Sequence, residues 1–205
     1  MPIAPNQIDH GATHLDTAPR QAGNAVFAAP DNKALQRPAE ARQARMGQAF
    51  AQIVAVLMRD PGYRNLRLTD LEWLVLPPVM AGQWRLGQGP APTPGNNASV
   101  QGAGGAMLVP MAVALWARIS PSIEQRLKDN LEIPLMLRPD EWASGPNLWL
   151  IAAAGDPRYL PVFLQKLNEL EFQGQEVKQR VRGADGKAVV MTLDQYVQRT
   201  FPAAA

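Results

Sequence analysis

Within AEARQARMGQAFAQIVAVLMRD, the apolar residues Met46, Phe50, Ile53, Val54 and Leu57 recur at spacings of four, three, one and three. That rhythm predicts one face of an amphipathic helix, ended near Asp60 because Pro61-Gly62 cannot continue it. A second, shorter helix is expected from a Thr69 N-cap, burying Leu71, Leu74 and Val75 and stopping at Pro77-Pro78. GQWRLG reads as a short strand. The run from Met107 to Ser120, MLVPMAVALWARIS, reads as another, with Pro110 near its start at an edge or bulge. Ser120-Pro121 is an N-cap followed by proline at the first helical position, opening a helix through SIEQRLKDN. NLWLIAAAG predicts a strand and Asp156-Pro157 the start of a helix that buries Leu160, Phe163, Leu164, Leu167 and Leu170. EVKQRVRGADGKAVVMTL predicts a hairpin, with Asp185-Gly186 supplying the turn. Helices alternating with mainly antiparallel strands make an α+β domain the expected architecture.

Two stretches carry no such period. Residues 1–38 mix Pro, Ala, Asn, Asp and Gln and are expected to form an arm, because they hold too little apolar surface to offset chain entropy. Residues 87–106 are almost entirely turn formers and predict a low-complexity loop between two strands. Residues 39–205 then make up one domain, a natural size for a single core.

Composition narrows the function classes. A formal charge of +2 supplies no field that argues for nucleic acid. The absence of cysteine removes disulfides, thiolate nucleophiles and Cys-ligated metals, and fits a reducing cytoplasm. No secretory signal is read at the N-terminus, and no run approaches the roughly 18 apolar residues of a spanning helix, so no membrane insertion is expected.

Candidate chemistry is sparse. His10 and His14 stand four apart, but nothing around them supports the helix that a metal pair needs, and they read as solvated. The glycines of RLGQGP are followed by a Pro-rich loop and no Gly-Lys-Ser/Thr, which argues against a phosphate cradle. Asp70, Glu72, Asp140, Glu141 and Asp156 lie near element ends, where capping explains them. Trp73, Trp84, Trp116, Trp142 and Trp149 read as core or interface residues, with a ligand groove as the alternative.

In order along the chain stand DPGYRN after the first helix, VLPP at Val75 to Pro78, Gln83-Trp84, Trp116-Ala117, and EWASG followed by LWLI from Glu141 to Ile151. This ordered set, over roughly residues 44–180, resembles the RTX toxin-activating lysine acyltransferases of the haemolysin-activator type. The resemblance implies a fold like the GCN5-type N-acetyltransferases and a cytoplasmic, usually dimeric protein. It implies fatty-acyl transfer from acyl carrier protein to internal lysines of an RTX-type protein before export, with no metal or free coenzyme A.

The same resemblance exposes a departure. The family's catalytic histidine falls on Tyr63, its strand aspartate on Ala152, and the serine of its turn on Asp60. Arg64, Trp116, Trp142 and Trp149 are the candidate substrate-contacting residues. A histidine titrates near 6.5, whereas an ordinary tyrosine titrates near 10 and is about a thousandth ionised at pH 7. Losing general acid–base help alone costs about 10²- to 10⁴-fold in rate. The expectation is therefore a degenerate member acting as a binding partner of acyl carrier protein, an RTX-type exported protein, another copy of itself or an active paralogue. Two alternatives stand beside it: an active lysine acyltransferase with a rearranged site, and an assembly module using the loop at 87–106.

Overall fold

The computed structural model describes residues 32–90, 108–183 and 185–200, with the main chain alone for 32–38. His10, His14 and most of the expected arm and loop lie outside the described residues. Helix α1 spans Asn32–Leu57, so it begins inside the stretch assigned to the arm. Its buried face is Ala49, Ile53, Val56 and Leu57, with Met46 and Phe50 packed beside them. Val56 takes the place expected for Val54, which stays half-buried. After the turn at Asp60–Arg64 come α2, Asp70–Leu74, and α3, Leu76–Ala81.

The prolines of VLPP do not end a helix as expected. They occupy the first turn of α3, where a missing N–H costs nothing. Nor does Thr69 cap α2, since its backbone is already helical and its side chain accepts no amide bond.

Five strands form one sheet in chain order: β1 (Trp84–Pro90), β2 (Leu108–Ile119), β3 (Asn147–Gly155), β4 (Val177–Arg182) and β5 (Ala188–Thr192). Residues 87–90, expected in the loop, are strand. All pairs are antiparallel except β3 with β4, which are parallel and linked through α5, Leu160–Leu170. Helix α4, Pro121–Asp129, starts where the sequence marks it, with Ser120 Oγ accepting the Ile123 N–H. The closing α6, Leu193–Thr200, follows β5 directly and was not anticipated. The architecture is α+β. Leu160, Leu164 and Leu167 of α5 and Leu193 of α6 cover one face of the sheet. On the other face lie α1, α2 and α3, and beside them a cluster with α4's Leu127, Leu137, Trp142 and Trp149.

Two irregularities in β3 matter for the site. Leu115 pairs with Ala152 while the next residue, Trp116, pairs with Leu150, so Ile151 is an extra residue in β3. Strict alternation puts Leu150 and Ala152 on the same face. The bulge separates them: Leu150 joins the α5 cluster and Ala152 the α1 cluster. The second irregularity is that β3 and β4 pair only from Leu148–Val177 to Leu150–Gln179. Beyond that point the two strands part.

Candidate active site

The turn after α1 is organised by Asp60. Its carbonyl accepts the N–H groups of Tyr63 (3.1 Å) and Arg64 (2.9 Å). One carboxylate oxygen accepts the Gly62 N–H at 2.8 Å, and the other accepts the Gly155 N–H at 3.0 Å. The second bond ties the turn to the last residue of β3, 95 positions away in sequence. Gly155 must be glycine there, because its φ is +144° and a Cβ would come within 2.4 Å of the Met111 carbonyl.

So anchored, the turn sends Tyr63 onto the α1 face of β3, where it packs in the cluster that contains Ala152. The residue as a whole is half-buried, yet its hydroxyl lies deep and accepts a hydrogen bond from the Ala153 N–H. Burial pushes the phenol up to about 12, the Asp60 carboxylate adds to the rise, and the Ala153 N–H opposes it. At pH 7 such a phenol is ionised in roughly one molecule in 10⁵. Asp60, Tyr63 and Ala152, expected from sequence at a single site, are therefore brought together, but as a proton-holding phenol, an amide-bound carboxylate and a methyl group. Arg64 follows with its side chain exposed.

Two clefts flank the turn. One, of about 590 Å³, is lined by Asp60, Pro61, Arg59, Met111 and the Gly155–Pro157 corner, with Val56 and Leu160 beneath. The other, of about 690 Å³, is lined by Gly62 and Tyr63, by Leu131–Pro134, by Arg180–Arg182 and by Ala188. No group of three or more His, Asp or Glu side chains able to hold a metal occurs among the described residues.

The three candidate tryptophans line neither cleft. Trp116 is 2% exposed and packs edge-on against Phe172, centroids 5.2 Å apart, with the Arg85 guanidinium 5.7 Å from its ring centre. Trp142 and Trp149 are buried together in the cluster beneath α4.

EWASG is likewise a structural clamp. Arg126 binds both oxygens of the buried Glu141 carboxylate, at 2.8 and 2.7 Å, and the Arg138 main chain and guanidinium add further bonds. These donors hold the Glu141 carboxyl down at about 2, with the Arg126 contacts dominant. The Trp142 carbonyl accepts from Arg118, and Ser144 Oγ accepts from the Ser120 N–H. A Cβ on Gly145 would lie 2.5 Å from Ser120 Cα.

Residues 106–194 match the RTX toxin acyltransferase (HlyC) family. Over that stretch the chain is similar to this family. The match supports a function of the toxin-activating acyltransferase type. The match takes in β2 to β5 with the EWASG clamp and LWLI, and confirms the resemblance read from those motifs. The turn that carries Asp60 and Tyr63 lies before it, so those positions rest on motif order and on their place in the fold. No individual curated protein matches the chain. The main-chain groups of Ala153 and Gly155 and the guanidinium groups of Arg180 and Arg182 escaped the sequence reading. Gly-Asp-Pro after three alanines was the available sign of a constrained strand end.

Proposed function

We propose that this chain is an RTX toxin acyltransferase homologue that has lost general acid–base chemistry and serves as a binding partner, its partner an RTX-type exported protein. One observation carries the reading. Where the family resemblance calls for a histidine and an aspartate, burial keeps the Tyr63 phenol protonated up to about 12 against the pull of the Ala153 N–H, in a cluster whose Ala152 bears no charge. Asp60 does not fill the gap, because both its oxygens are taken by main-chain N–H groups of the turn and of β3. A general base works best with a pKa near the working pH, and Tyr63, at about 12, does not meet that condition.

The test is the intact mass of an RTX-type acceptor co-expressed with an acyl carrier protein and this chain. The expected result is co-purification of the acceptor with no fatty-acyl mass increase. A mass increase with the wild-type chain that Tyr63→Phe abolishes makes it an active enzyme with a rearranged site. Acylation that emerges only with Tyr63→His combined with Ala152→Asp supports an intact scaffold from which chemistry was removed.

A further inference from the structure

The larger cleft carries an inference that rests on the partner-binding reading and gives it a location. Gly183 N–H donates to the Lys187 carbonyl at 2.7 Å, which sets the alternation of the β4–β5 hairpin. Counting back, Val181 and Gln179 direct their main-chain groups toward β5, and Arg180 and Arg182 direct theirs away from it. On that side the last bridge to β3, Leu150–Gln179, takes up the Arg180 N–H, and beyond it β3 parts, leaving the Arg180 carbonyl and the Arg182 main chain open. The far end of β4 is thus paired on one side only, and it is this end that lines the cleft.

Charge changes at the same point. Lys178, where β3 and β4 are still closed, is neutralised by Glu124 at 2.7 Å and Glu176 at 2.9 Å. Arg180 and Arg182, on the same strand face two and four residues later, make no ion pair with a carboxylate among the described residues. Arg180 donates instead to the Leu131 and Ile133 carbonyls, holding the opposite wall in place. Arg182 is exposed and donates to the Gly186 carbonyl at 2.9 Å. Burial, followed by the like charge of Arg182, lowers the Arg180 pKa, with the Glu132 carboxylate opposing in part. The single carboxylate in the lining, Glu132, accepts from the Ala188 N–H and offsets one of the two charges. Ile133, 59% exposed, and Pro134 give the facing wall an apolar surface.

We propose that an extended, acidic peptide segment of the partner protein lies in this cleft, adding as a short strand to β4 at Arg180–Arg182. Main-chain bonds to the open strand give affinity, and alternate side chains meet the guanidinium groups or the Ile133–Pro134 wall. The open edge runs only from the Arg180 carbonyl to Arg182, under about 10 Å at strand rise, so recognition is of a short motif.

The experiment is fluorescence anisotropy on the full chain, with labelled ten-residue peptides alternating Glu with Val, or Lys with Val. A third set of the acidic peptide carries N-methyl groups on alternate residues in either register. Expected are binding of the acidic peptide at least tenfold tighter than the basic one, a tenfold or greater loss with Arg182→Glu, and loss of binding with one N-methyl register but not the other. Arg182→Ala, expected to give a smaller loss, is the second variant should reversing the charge disturb the hairpin. Equal affinity for both charges, indifference to N-methylation, or no binding by any peptide overturns the proposal. So does a dimer of this chain that Arg182→Glu dissociates, because a second copy then occupies the edge. If the RTX-type acceptor still co-purifies while the acidic peptide fails to bind, this surface is wrong and the partner-binding reading survives. If peptide binds and the acceptor does not co-purify, the reverse holds.

Discussion

Two segments brace the central strands of the sheet, and they differ in what their side chains do. The clamp at 138–145 holds the end of β2, and every family-like feature in it has a mechanical role. Glu141 gathers two arginines, Ser144 bridges to the start of α4, and Gly145 leaves room for Ser120. The turn at 60–64 holds the end of β3 through Asp60 and places Tyr63 in the cluster that contains Ala152, the positions that the resemblance assigns to chemistry. The clamp lies within the stretch that matches the family, whereas the turn lies before it and, on the reading proposed above, holds no group suited to moving protons. The proposed loss of the reaction would leave such an asymmetry, because a lost base need not lower stability as a lost clamp does.

The comparison breaks most severely at Gly145. Gly145→Ala sets a methyl group against main chain that cannot give way, with Ser120 Cα, the Ile119 carbonyl and the Ser120 nitrogen all within 2.7 Å. We expect failure to fold, or a loss at or above the ~3 kcal/mol upper range of overpacking, read from soluble yield and urea unfolding. Arg126→Met comes next. It leaves the Glu141 carboxylate buried with only the Arg138 contacts, costing on the order of 3 kcal/mol at neutral pH.

The same pair gives a pH test. Glu141 lies at about 2 when folded against 4.5 as the ordinary value, so the unfolded chain takes up the proton first on acidification. Its stabilisation is full above about pH 4.5 and falls as pH drops toward about 2. The urea midpoint of the wild type should decline across that window, and Arg126→Met should flatten the decline. The half-buried Asp156, also lowered to about 2 by Arg158, contributes in both proteins and cancels from the difference.

Tyr63→Phe probes the other segment. It removes the acceptor of the Ala153 N–H and should cost about 1–2 kcal/mol. It should also erase the tyrosine ionisation near 12 from an absorbance titration, among only three tyrosines. A mid-range ionisation disappearing instead would restore Tyr63 as a candidate base. The smallest effect belongs to Arg64→Ala, an exposed side chain whose loss should shift stability by no more than about 0.5 kcal/mol.

Local signals in the sequence determined most of the elements. NLWLIAAAG is β3 residue for residue, Ser120-Pro121 opens α4, and Gly186, at φ +78°, supplies the hairpin turn. These succeed because periodicity, capping and turn geometry are properties of adjacent residues. VLPP failed as a stop signal because proline is tolerated at a helix start as readily as it ends one, and only packing distinguishes the two. α6 was missed because it follows β5 without an intervening turn residue. Motif order marked Asp60, Tyr63 and Ala152 as one site, but the chain alone says nothing of which face Ala152 occupies. A single extra residue, Ile151, decides that, and a bulge is defined by the partner strand rather than by its own sequence. The parting of β3 from β4, the Asp60–Gly155 bond and the partly compensated Arg180–Arg182 edge belong to the same class. Each depends on contacts between residues far apart in the chain, and for those only the tertiary structure supplies the geometry.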